Sequence, residues 1–113
     1  MQIHGASEKI RGTVTNWAGV TAYPHRFGGV EFRLGKRELG HMHGNALVDI
    51  PLPMKIRDEL VAAGRVEPHH ILPKSGWVSF YIREEGDIEK AIELLKLSFD
   101  IASQQYSHRT SPI

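Results

Sequence analysis

Two of the seven histidines in this 113-residue chain, His41 and His43, stand a single methionine apart. In a β-strand, residues two apart share a face, so both imidazoles project the same way. Neutral imidazole is the commonest metal ligand, and two side by side can hold one divalent ion. Such a site needs a third ligand and a partner that orients the rings. His25, Asp49, His69 and His70 are the candidates, with His41, His43 and Asp49 as the metal set. The same His-x-His pair equally suits a polar sheet surface on which each ring bonds to a neighbour.

The other chemistry-bearing residues are less sharply constrained. Asp49 can hold a histidine in one tautomer, as a general base requires, or cap the following helix or close a turn. His69 and His70 are adjacent, and adjacent strand residues face opposite sides, so at most one of them joins His41 and His43. His25-Arg26 lies on the loop before Gly28-Gly29, where Arg26 can grip a carboxylate or phosphate or simply lie on the surface. Ser79 shares a strand face with Trp77 and Tyr81 and is a ligand contact rather than a nucleophile, because no strand-turn-helix elbow surrounds it. The ligand-contacting set is thus His25, Arg26, His41, His43, His69, His70 and Ser79.

The elements that must position these groups follow from the apolar spacing. Ile10 and Val14 predict a short helix over about Ala6 to Asn16. Val20–Tyr23, Val30–Leu34, Leu39–His43 and Ala46–Ile50 read as strands parted by Pro24 with Gly28-Gly29, by Gly35-Lys36 and by Gly44-Asn45. Pro51-Leu52-Pro53 ends that run and leads into a helix from Met54 to Ala63, closed by Gly64. Val66–His69 and Gly76–Ile82 add two strands about a Leu72–Ser75 turn. Asp87 is placed to cap a last helix whose stripe is Ile88, Ala91, Ile92, Leu95, Phe99 and Ala102, widened by Leu94 and Ile101. The polar segment 104–113 is expected to fray. The prediction is one α+β domain over 1–113: a mainly antiparallel sheet of five or six strands against two or three helices.

Composition narrows the chemistry. With no cysteine, disulfides, thiolate metal sites and cysteine nucleophiles are excluded. Fourteen basic residues against thirteen acidic ones, with no basic stripe, argue against nucleic acid as a partner. No apolar run is long enough to cross a bilayer, and the first residues have no signal-peptide pattern, so the cytoplasm is the expected location. There is no Gly-rich fingerprint for a flavin or nicotinamide and no phosphate loop, which leaves any cofactor unknown.

Five blocks carry a resemblance. They are Tyr23-Pro24-His25-Arg26-Phe27-Gly28-Gly29-Val30-Glu31-Phe32, Glu38-Leu39-Gly40-His41-Met42-His43-Gly44, Asp49-Ile50-Pro51-Leu52-Pro53, Glu67-Pro68-His69-His70 and Ser75-Gly76-Trp77-Val78-Ser79. In this order, over about Trp17 to Phe99, the chain resembles the bacterial "luciferase domain" family, a small domain of unknown function. The resemblance brings no catalytic residues with it. The residues support three expectations. The first is a small polar ligand bound in a histidine-lined cleft on the sheet. The second is a metal-dependent or acid–base enzyme built on the same histidines. The third is an interaction module or homodimer formed through a sheet edge or the last helix.

Overall fold

Residues 3–25 and 28–110 are described by the computed structural model, the side chains of 106–110 excepted. Helix α1 (Ala6–Val14) precedes four strands, β1 (Val20–His25), β2 (Gly29–Leu34), β3 (Arg37–His43) and β4 (Leu47–Pro51). Then come α2 (Met54–Ala62), β5 (Glu67–Pro68), β6 (Trp77–Tyr81) and α3 (Gly86–Thr110). The six strands form one antiparallel sheet in the order β1-β2-β3-β4-β6-β5. The chain is an α+β single domain, as the glycine-punctuated strands predict, and no helix among the described residues is long and apolar enough to cross a membrane.

Alternation divides the sheet into two chemically distinct faces. Phe32, Met42, Val48, Ile50, Val78 and Phe80 point to one side, where with Ile10, Val14, Ala91, Leu94 and Leu95 of α1 and α3 they make the core. Tyr23, Glu31, His41, Asp49 and Ser79 occupy successive paired positions on the other side, one from each of β1, β2, β3, β4 and β6. The polar residues are thus aligned in a single rank across the strands, since direct cross-strand partners lie about 4.5–5.5 Å apart at Cβ.

Several boundaries differ from the sequence reading for identifiable reasons. β1 does not stop before Pro24 but runs to His25, with Pro24 opposite Val30. It is an edge strand, where a missing N–H costs no ladder bond. β5 is only two residues long, so His69 lies beyond the strand instead of ending it. α3 begins one residue before Asp87, whose carboxylate accepts backward from the N–H groups of Arg83 and Glu84 (2.9 and 3.2 Å). The helix continues to Thr110 through much of the segment expected to fray, and 111–113 lie outside the described residues.

β3 holds the main irregularity. Phe32 pairs with Gly40 and Arg33 with Glu38, so Leu39 is an extra residue with no partner of its own, a β-bulge. Both Leu39 and Gly40 are buried. A Cβ on Gly40 would lie 2.8 Å from the Asp49 carbonyl and 2.9 Å from Leu95 Cδ2, so only glycine lets α3 and β4 come this close. The Leu39 carbonyl accepts a hydrogen bond from the buried Ser98 hydroxyl of α3 at 2.8 Å.

Candidate functional site

The site is built around one carboxylate. Asp49, in the middle of β4, is fully buried. Its Oδ2 lies 3.0 Å from His43 Nε2, 3.3 Å from His41 Nε2 and 3.3 Å from His69 Nε2. Its Oδ1 accepts from the Ser79 hydroxyl at 2.8 Å, with His70 Nδ1 at 4.0 Å. His41 and His43 come from β3 and share a face, as their spacing demands; Asp49 is the direct cross-strand neighbour of both His41 and Ser79. The alternative role for Asp49, closing a turn, is not the one its side chain takes.

His69 reaches this carboxylate directly and His70 reaches the Ser79 hydroxyl bonded to it (3.2 Å), against the expectation that strand alternation admits at most one of them. Alternation does not apply, because the chain has left β5 and bends at these residues. Their rings stack at 4.4 Å with 25° between planes, and Trp77 packs 5.2 Å from His41 and 6.1 Å from His69. The segment that carries them is tied down at several points: the Leu52 N–H donates to the Gly76 carbonyl (3.0 Å), Arg57 donates to the Pro73 carbonyl, and Ser75 donates to Leu72 (2.7 Å).

A further layer of carboxylates backs the imidazoles. His41 Nδ1 donates to Glu38 Oε2 at 2.6 Å. Three residues apart in a regular strand, Glu38 and His41 would face opposite sides; the bulge at Leu39 brings them onto the same one. His25 stacks on His41 (4.2 Å, 17°), and its Nδ1 donates to Glu31 Oε1 at 3.1 Å, while Arg33 donates to Glu31 Oε2. Sequence reasoning missed Glu38 and Glu31 as partners, although a glycine inside a strand, Gly40, is the usual mark of a bulge. Arg26 lies outside the described residues.

The electrostatics follow from this geometry. Burial alone would push the Asp49 pKa up, but hydrogen bonds from His41 and Ser79, the nearby His69 and a bond from His43 hold it well below the usual carboxylate range. Burial works against charge on His41 too, yet the bonds to Asp49 and Glu38 outweigh it and raise its pKa to about 9. At neutral pH His41 is therefore an imidazolium between two carboxylates. His69 is pushed down, chiefly by burial, and is neutral. Burial likewise opposes ionisation of Glu31, and the bonds from Arg33 and His25 reverse that, leaving its pKa lowered.

The spacing of these groups is compatible with a metal ion. Ligand atoms of His41, His43 and Asp49 all lie within 4.8 Å of one another. Bonds of about 2.0–2.2 Å to one metal place neighbouring ligand atoms about 3.0–3.5 Å apart. The 3.0 and 3.3 Å separations from Asp49 Oδ2 to the two Nε2 atoms match that spacing. Glu38 behind His41 is the carboxylate–histidine arrangement common in metal sites.

A family model described as Luciferase domain matches residues 36–98, more than half of the chain and the stretch that contains β3, β4, β5 and β6. No curated protein and no solved structure matches the chain.

Proposed function

The chain belongs to the Luciferase domain family, and from that starting point we propose that it binds one divalent transition metal through His41 Nε2, His43 Nε2 and Asp49 Oδ2 and uses the ion to hold a small polar ligand. Membership supplies no reaction; the chemistry rests on the cluster. The observation that carries it is the approach of the two Nε2 atoms to Asp49 Oδ2 at 3.3 and 3.0 Å, with the three ligand atoms within 4.8 Å of one another and Glu38 orienting the first ring. Imidazole and carboxylate together suit zinc, iron, nickel or copper better than magnesium or calcium, which favour all-oxygen sites. In the metal-free protein the Nε2 protons of His41 and His43 face Asp49; an ion takes their place and releases protons as it binds.

The test is direct titration. Protein purified without a histidine tag and stripped with chelator should take up one Zn²⁺ per chain by calorimetry. The His41→Ala/His43→Ala double variant should take up none while keeping its circular-dichroism spectrum. Wild-type protein without stoichiometric uptake, or a folded double variant that binds as well, would exclude the metal centre. The surviving alternative would then be metal-free acid–base chemistry at His43, the ring that combines a 3.0 Å contact to Asp49 with 36 % side-chain exposure.

A further inference from the structure

Three imidazoles point Nε2 at the same oxygen, Asp49 Oδ2, yet they are not equivalent. What separates them is the far side of each ring. Behind His41, Nδ1 meets the Glu38 carboxylate, which requires a proton on Nδ1 and leaves Nε2 free to coordinate. Behind His69, Nδ1 accepts two backbone N–H groups, from Ile71 at 3.1 Å and Leu72 at 3.0 Å. A ring nitrogen that accepts has no proton, so the His69 ring carries its one N–H proton on Nε2, aimed at Asp49.

For His69 to ligate a metal through Nε2, that proton would have to move to Nδ1. An N–H would then face two N–H donors, and the buried ring would leave both backbone groups without an acceptor. Asp49 Oδ2 has two lone pairs, enough for one metal bond and one hydrogen bond from His69.

Building on the metal centre proposed above, we propose that His69 is a tautomer-locked clamp on Asp49 and not a fourth ligand, so that the protein supplies three ligand atoms and leaves a coordination position for an exogenous oxygen ligand. Three protein ligands with an open position are the pattern of metal sites that act on a bound molecule, whereas structural sites close the shell. Such a ligand would approach past His43 and His70, the more exposed of the rings around Asp49 at 36 % and 37 %, since Asp49 itself is buried. His70 cannot close it through Nδ1, because the Ser79 hydroxyl donates to Asp49 and its oxygen therefore accepts from His70 Nδ1–H at 3.2 Å. His69 acts through Asp49 and is a positioning residue; the backbone bonds at Nδ1 also anchor the 69–72 segment to the centre.

The experiment reads both halves of the inference. In Zn²⁺-loaded wild-type protein, long-range ¹H–¹⁵N imidazole correlations should show a protonated Nε2 and an accepting Nδ1 for His69, and a protonated Nδ1 with a metal-bound Nε2 for His41 and His43. Acetohydroxamic acid, a small oxygen chelator, should bind the Co²⁺-loaded protein one to one and shift its visible bands. His69→Gln, whose amide can still donate to Asp49, should retain Zn²⁺ affinity to within about tenfold, while His69→Ala should lose about 10–100-fold, the usual cost of an outer partner. A metal-bound Nε2 on His69, or visible bands untouched by acetohydroxamic acid, would overturn the inference while leaving the metal centre standing. Because the imidazole correlations are read on wild-type protein, they decide the tautomer even if a variant fails to fold. Failure of the wild type to bind any metal would instead remove the function itself, and is read before any ligand is added.

Discussion

His41 holds a proton between two carboxylates, and that has a measurable price in alkali. Its pKa is raised from 6.5 to about 9, so the stability it contributes is complete below 6.5 and is lost as pH climbs through about 9. Metal-stripped protein should therefore lose melting temperature between about pH 6.5 and 9, and His41→Gln should flatten that slope. Equal slopes for the two proteins would place the titrating group elsewhere. His69 does not add to this alkaline loss: its lowered pKa gives stability that is kept at high pH and lost on acidification. Asp49, also lowered, contributes above its ordinary value of 3.8 and loses that contribution in stronger acid. Glu38 acts through His41. Glu38→Gln should weaken Zn²⁺ binding by about 10–100-fold in a chelator competition assay, and unchanged affinity would reduce Glu38 to an ordinary surface acid. Of these residues, the shared face of His41 and His43 was legible in the sequence, because a period of two fixes a face, whereas the sequence left the role of Asp49 beside them open. The joint arrival of His69 and His70 was not legible, because it depends on where β5 ends, and a two-residue strand leaves no periodicity to read.

At the scale of elements, glycine turns and alternating residues made the sheet predictable, while the bulge in β3 was signalled only by Gly40. The extra residue at Leu39 changes which side chains share a face, and without it Glu38 would not back His41. The 69–76 segment depends on a second close approach: a Cβ on Gly76 would lie 2.2 Å from the Leu52 carbonyl oxygen, a contact with backbone that no rotamer relieves. Gly76→Ala should therefore displace the start of β6 and the segment before it. We expect a loss of about 1–3 kcal/mol in urea denaturation, the range for overpacking, together with weaker Zn²⁺ binding. A variant with wild-type stability and affinity would show that the segment does not position the histidines. The shortness of β5 and the run of β1 through Pro24 escaped the sequence for related reasons, since both are edge features that depend on the neighbouring strand.

At the scale of the whole molecule, the sheet keeps two sets of residues apart. The packed side toward α1 and α3 carries the folding energy, and the opposite side carries the titratable groups. A metal joining β3 to β4 should stabilise the native state by mass action. Zn²⁺ held at 100 times its dissociation constant adds about 2.7 kcal/mol, enough to raise the melting temperature by several degrees in a thermal scan. No shift at that excess would mean that the ion binds the unfolded chain equally well. The two sides are nevertheless tied together by a hydrogen bond, donated by the hydroxyl that Ser98 extends from the last helix to the Leu39 carbonyl. Pulling on that thread from behind should be felt in front: a lesion near the far end of the polypeptide, touching no histidine and no carboxylate, would slacken the kink that turns Glu38 outward and so loosen the proposed grip on an ion.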